Sequence, residues 1–161
     1  MPNSKKLLSL HGCASANAIL DLALTLEALD TVGVPIIGFE TATFPAIYSM
    51  SSGLPVDKRL NNTTDIARVM ATKWGLGLEG AVLVATPVPE QSAMDAAHIE
   101  SIIKQAVVEA HHAQIIGKDL TPYLLRKIVA QSGRQSIEAN TALVEHNTQV
   151  GGAIAVAFAV P

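Results

Sequence analysis

Cysteine occurs once in 161 residues, at position 13, so no internal disulfide exists and the usage fits a reducing compartment. Aromatic residues make up 4%, too few to build a stacking platform for single-stranded nucleic acid. Basic residues are sparse and scattered. With a formal net charge of −3, a pI near 5.9 and no Lys/Arg cluster, the chain does not read as a nucleic-acid surface. The hydrophobic fraction is 49% and the mean hydropathy +0.34, yet no apolar run reaches the ~18 residues a membrane span needs. The opening MPNSKK carries two lysines, but the LLSL that follows is too short for a signal-peptide core. The expected setting is therefore the cytoplasm, with neither membrane nor nucleic acid as partner. What is abundant is small and aliphatic, in keeping with a metabolic protein. A chain of this length can bury roughly 68–70% of its unfolded surface, enough for one domain spanning 1–161.

Strand and helix signals alternate at first. KLLSLHGC, Lys6 to Cys13, reads as a short strand, followed by a helix with Ile19, Leu20, Ala23, Leu24, Leu26 and Leu29 on its apolar face. Gly33 ends that helix and VPIIGF, Val34 to Phe39, reads as a buried strand. The stretch ETATFPAIYSMSSGLPV is irregular, broken by Pro45, Gly53 and Pro55. Thr63 is a candidate N-cap for a second helix with Asp65 in its first turn, and Ile66, Val69, Met70 and Trp74 form its face. AVLVATPVP after Gly80 reads as a third strand stopped by Pro87. Asp95 caps a third helix striped by Ile99, Ile102, Ile103, Ala106, Val107 and Ala110. Thr121-Pro122 reads as a helix start, and Ser136 as the cap of a last helix running toward Phe158. The fold class is α/β: a small, largely parallel sheet flanked by helices, with a helical carboxyl-terminal part.

The chemistry-bearing residues form few constellations. His111 and His112 are adjacent, so on a helix they diverge by about 100° and share no ion readily. Glu145-His146 lacks the second histidine of a zinc-binding H-E-x-x-H. Cys13 lies two residues from His11 without an orienting acid, and reads as a small buried residue before a nucleophile. The loop from Phe39 to Val56 carries Thr41, Thr43, Tyr48, Ser49, Ser51 and Ser52 after a strand, where open α/β sheets gather ligands. It reads equally as a solvated surface loop. Asn140 offers a donor and an acceptor that match the edge of a base, or it bonds only water. Gly151-Gly152 inside the last helix points to close helix packing.

Four segments carry a resemblance: GVPIIGFETATFPAIYSMSSGLPV, DIARVMATKWGLGLEGAVLVATPVPE, GKDLTPYLLRKIVAQSG and SIEANTALVEHN. In this order and spacing they resemble the carboxyl-terminal half of the pseudouridine-5′-phosphate glycosidases, also called the indigoidine synthase A-like family. The similarity runs from about Leu8 to Phe158. It implies a partial glycosidase-like fold of the catalytic domain and cleavage of the C–C glycosidic bond of pseudouridine 5′-phosphate to uracil and ribose 5-phosphate. It further implies a lysine that forms an imine with the opened sugar, a glutamate acid, an aspartate that holds Mn²⁺, and a trimer.

Two departures follow from the same resemblance. CASANAILD, Cys13 to Asp21, matches the pattern around that lysine, and Asn17 stands in the lysine's place. An amide nitrogen is delocalised into its carbonyl and makes no imine, whereas a lysine amine does once its pKa is depressed. The acid and the Mn²⁺ ligand come from the amino-terminal half, which these residues do not include. Asn140 resembles the asparagine that meets the uracil edge, and Thr41 aligns with a family threonine, while Ala42 and Thr43 replace acidic residues and Thr86 an asparagine. The expectation is a glycosidase relative inactive as an isolated chain. It would be completed by a separate amino-terminal half, would persist as a silent uracil- or sugar-phosphate-binding fragment, or would be a gene remnant.

Overall fold

A computed structural model describes residues 21–159, so the strand expected at Lys6–Cys13 and the motif containing Asn17 lie outside the described residues. Five α-helices and three strands are described: α1 (Leu22–Thr31), β1 (Ile36–Phe39), β2 (Lys58–Leu60), α2 (Thr63–Gly75), β3 (Leu83–Ala85), α3 (Ala96–His112), α4 (Leu120–Ser132) and α5 (Arg134–Ala159). The sheet is parallel, with order β2-β1-β3. Parallel pairing brings the carboxyl ends of all three strands to one edge.

Side chains alternate across a strand, and the register sorts them cleanly. Ile36 pairs with Leu83, and both join the cluster packed by Leu22, Leu26 and Leu29 of α1. Ile37 pairs with Val84, and both face the other way, onto Ile66, Met70 and Trp74 of α2 and Val150 and Ile154 of α5. Both faces of the sheet are thus covered, as parallel sheets require. Beyond β3, α3 and α4 pack through Ala106, Ala110 and Leu124. They are tied at the surface by Lys127 and Glu109, 2.6 Å apart, and Lys127 holds the Glu109 carboxyl below its ordinary value.

Helix boundaries follow local chemistry, with several shifts from the sequence reading. Asp21 caps α1 by accepting from the Leu24 amide at 2.9 Å. The helix closes with paired bonds from Gly33 N to Asp30 O and from Val34 N to Leu29 O, for which Gly33 adopts φ +69°. Leu24, however, is exposed rather than on the buried face. The cap of α2 is Asn62, not Thr63: its Oδ1 accepts from Asp65 N at 2.8 Å while its Nδ2 donates to the Asp65 carboxylate. Val69 is exposed, because Ala67 takes the buried position beside Ile66 and Met70.

Asp95 caps α3 as expected. Helix α4 begins one residue before Thr121, at Leu120, after a 3-10 turn over Gly117–Asp119. Pro122 then falls in the first turn, where its missing N–H has no intrahelical partner to lose. Ser136 does not cap α5, which starts at Arg134 directly after Gly133 at φ +62°. The third strand is shorter than AVLVATPVP, and β2 appears at a polar edge position the sequence pattern did not mark. The irregular loop is internally bonded, with Phe44 N donating to Leu54 O at 2.7 Å and Ser52 N to Phe44 O at 2.9 Å.

Two glycines test the packing in opposite directions. At Gly38, in the central strand, a Cβ would sit 2.2 Å from the Thr41 carbonyl oxygen and 3.0 Å from Val56 Cγ2. At Gly152 of α5 a Cβ would meet nothing within 4 Å, so close packing does not explain that glycine. Gly38→Ala is expected to lose about 1–3 kcal/mol by overpacking, and Gly152→Ala to gain about 0.5–1 kcal/mol through helix propensity. Urea midpoints at unchanged slope read both.

Candidate functional site

The carboxyl edge of the sheet is the natural ligand position of such an α/β arrangement. There β1 ends at Phe39 and turns through Glu40, a non-glycine residue at φ +59°, a conformation that marks a tightly specified turn. Thr41 follows. Its hydroxyl donates to Thr43 O at 2.8 Å and accepts from Thr43 N at 3.2 Å, so it is half-buried and engaged in shaping the loop. Thr43 Oγ1 lies 2.8 Å from Ser51 Oγ, and the Ser52 hydroxyl donates to Phe44 O at 2.6 Å. Most loop hydroxyls are thus committed to holding the loop together.

β3 ends at the same edge, and Thr86, the residue after it, is buried. Its hydroxyl donates to the side-chain oxygen of Asn147 on α5. One residue earlier, the His146 ring lies 6.4 Å from Phe39 at the end of β1, tilted by 47°. These two contacts fasten α5 to the carboxyl ends of both strands. Between Asn140 and Asn147, Leu143 packs with Ala139, Tyr48 and Val88 in one cluster. Asn140 and Asn147 are seven residues apart, two helical turns or about 10.5 Å along the axis, and so share a face. Asn140 is half-buried. Thr41, Thr86 and the α5 pair Asn140 and Asn147 therefore stand on three segments, the last two joined by the Thr86–Asn147 hydrogen bond.

Asn17, Cys13 and His11 lie outside the described residues. Among the described residues no group of three or more His, Cys, Asp or Glu side chains gathers that could hold a metal ion. Nor is any described helix long and apolar enough to cross a membrane. The Thr86–Asn147 contact went unread in the sequence, since no spacing rule relates residues so far apart. A separate cleft of about 670 Å³ opens between the loop 46–52 and α3. Tyr48 lines it, and burial pushes its hydroxyl pKa up, keeping it protonated.

Removing the Thr86 hydroxyl isolates a partly buried acceptor. Thr86→Val is expected to cost about 1–3 kcal/mol in chemical denaturation. Asn147→Ala should then cost less in the Thr86→Val background than in the wild type. Additive losses would contradict the contact.

Comparison with known proteins extends this geometry. Residues 10–157 match the family described as indigoidine synthase A like protein. The pseudouridine-5′-phosphate glycosidase of Caldanaerobacter subterraneus subsp. tengcongensis is 51% identical over 144 residues, 89% of this chain and 47% of that protein. The enzyme of the same name from Glaesserella parasuis is 47% identical over 146 residues, 91% of this chain and 48% of that protein. Among solved structures, prealnumycin C-glycosynthase AlnA in complex with ribulose 5-phosphate superposes with a TM-score of 0.79 at 30% identity, over 86% of this chain and 45% of that one. An indigoidine synthase A-like protein from Thermotoga maritima gives 0.76 at 34% identity, over 86% and 46%. The chain spans about half the length of the curated relatives it matches. With the match running through the carboxyl-edge segments and α5, the chain belongs to the indigoidine synthase A-like family.

Proposed function

We propose that this chain forms the carboxyl-terminal half of a pseudouridine-5′-phosphate glycosidase fold, recognises uracil through Asn140, and does not carry out the covalent sugar step. The observation that carries the family half of this reading is the 51% identity to the Caldanaerobacter enzyme across 89% of the chain. The C-glycosynthase relative, held with ribulose 5-phosphate, supports a C-glycoside and a pentose phosphate as the ligand class. Uracil presents carbonyl acceptors and N–H donors along its edge, and one carboxamide can answer both kinds. Asn140 lies two helical turns before Asn147 on α5, and the tie of Asn147 to Thr86 after β3 supports this assignment.

The covalent half of the reaction needs a primary amine whose lone pair attacks the anomeric carbon and then condenses to an imine. Asn17 stands in the position of that amine by resemblance. Its nitrogen lone pair is shared with its own carbonyl, so the attack does not occur. The acid and the Mn²⁺-binding aspartate belong by resemblance to the amino-terminal half, and no step through the metal is assigned to these residues. Substrate binding and bond cleavage are in this reading separable, with base recognition kept on α5.

The test supplies the missing half. This chain is co-expressed with the amino-terminal half of the Caldanaerobacter enzyme and assayed for uracil release from pseudouridine 5′-phosphate. The wild-type chain is expected to release none. Asn17→Lys is expected to raise release at least on the order of 10³-fold in the assembled pair and not at all in the isolated chain. Borohydride should fix a pentose phosphate only to the lysine variant. Uracil release by the wild-type pair, or a reduced adduct on the wild-type chain, would overturn the reading.

A further inference from the structure

Ser136 reads as a helix cap in the sequence, yet it lies inside the first turn of α5 and makes no capping bond. It is 1% exposed. Among the described residues its hydroxyl is the one buried side-chain nitrogen or oxygen without a hydrogen-bond partner. A buried hydroxyl left unpaired has given up its bonds to water for nothing, so its place calls for a reason.

The helix break explains how the hydroxyl is left free. A helical serine or threonine with no better partner donates to the carbonyl four residues earlier. Ser132 does so to Ile128 O at 2.6 Å, and Thr148 to Val144 O at 2.8 Å. Four residues before Ser136 stands Ser132, the last residue of α4, and the chain turns between them at Gly133, φ +62°. The carbonyl that would satisfy Ser136 is therefore carried on a different helix. Ala139 and Leu143, its near neighbours on α5, are buried in an apolar cluster and bring no side-chain acceptor.

Asn140 is the polar residue best placed to meet this hydroxyl. It follows Ser136 by four residues, and side chains on a helix lean toward its amino terminus, so residues so spaced meet. Asn140 is half-buried, and its carboxamide makes no hydrogen bond among the described residues. Asn147, further along the same face, is already engaged by Thr86. The buried side of α5 thus holds an unpaired hydroxyl and an unpaired carboxamide one turn apart.

We infer that Ser136 is the positioning residue of Asn140: its hydroxyl donates to Asn140 Oδ1 when the carboxamide engages a base. The inference rests on the reading of Asn140 as the base-binding residue. A carboxamide has two orientations, related by a half-turn, that exchange its oxygen and its NH2. A donor fixed beneath the oxygen selects one of them. The NH2 is then free to donate to a ring carbonyl, and the second lone pair of Oδ1 to accept a ring N–H. Binding closes a bond that is open in the free chain, so the hydroxyl contributes to affinity and not to the stability of the free fold.

The test separates those two contributions. Uracil affinity is read from the Asn140 side-chain amide signal of the full chain carrying isotope-labelled asparagine, and stability from the urea midpoint. Ser136→Ala is expected to weaken uracil binding by about fivefold or more. Its midpoint should stay or rise, because the hydroxyl removed was unpaired and alanine favours the helix. Ser136→Cys keeps nearly the same shape with a much weaker donor, and should lose affinity as alanine does. A lowered midpoint in Ser136→Ala would give the hydroxyl a structural partner and overturn the inference. Full affinity in Ser136→Cys beside a loss in Ser136→Ala would assign the effect to packing and overturn it too. Equal uracil affinity in wild type and Ser136→Ala would defeat this inference alone, whereas a wild type that binds no uracil would defeat the functional reading and this inference together.

Discussion

Thr86 is buried at the end of β3, and its hydroxyl reaches the side-chain amide of Asn147 on a helix contributed from the far end of the chain. A helix resting on a sheet through Val150 and Ile154 alone could slide or rotate by a residue with little change in burial. A directional hydrogen bond cannot follow such a shift, because a slipped register leaves a buried hydroxyl unmatched. The Phe39–His146 contact restrains α5 against the neighbouring strand in the same way. Once the rotation of α5 is set there, the positions of Leu143, about one turn earlier, and Asn140, about two turns earlier, are set as well. The orientation of Asn140 on its helix depends on this restraint.

The loop after β1 supplies the opposite wall by a different device. A Cβ at Gly38 would strike the Thr41 carbonyl, so the loop can fold back on the strand only over a glycine. Glu40 at positive φ turns the chain, and the hydroxyls of Thr41, Thr43 and Ser52 close the loop on its own backbone. The edge is thereby shaped before any ligand arrives.

The sequence made the architecture legible where periodicity and burial agree. Ile36 and Ile37 read as buried strand, the α3 stripe read as helix, and Gly33 and Asp95 marked their helix ends through known cap chemistry. Polar β2 was not legible, since Lys58 and Arg59 are exposed and only its pairing with β1 makes it a strand. The caps at Thr63, Thr121 and Ser136 misled because a hydroxyl near a helix start is a common residue, and neighbouring residues decide which one caps. Asn140 drew notice by its chemistry and its resemblance, but its tether through Asn147 to Thr86 spans 61 positions and leaves no local pattern. The cleft on α3 was half visible: Ile103 and Val107 were read as stripe, and only the fold shows that they face a hollow.

The claim that α5 presents a base-recognising amide at the carboxyl edge is tested most directly by magnetic resonance of the chain carrying isotope-labelled asparagine, titrated with uracil. The account predicts a saturable shift of the Asn140 side-chain amide, absent in Asn140→Ala, with the Asn147 amide held in place by Thr86. Uracil that leaves Asn140 unmoved up to its solubility limit, or that shifts only residues of the α3 cleft, would contradict it.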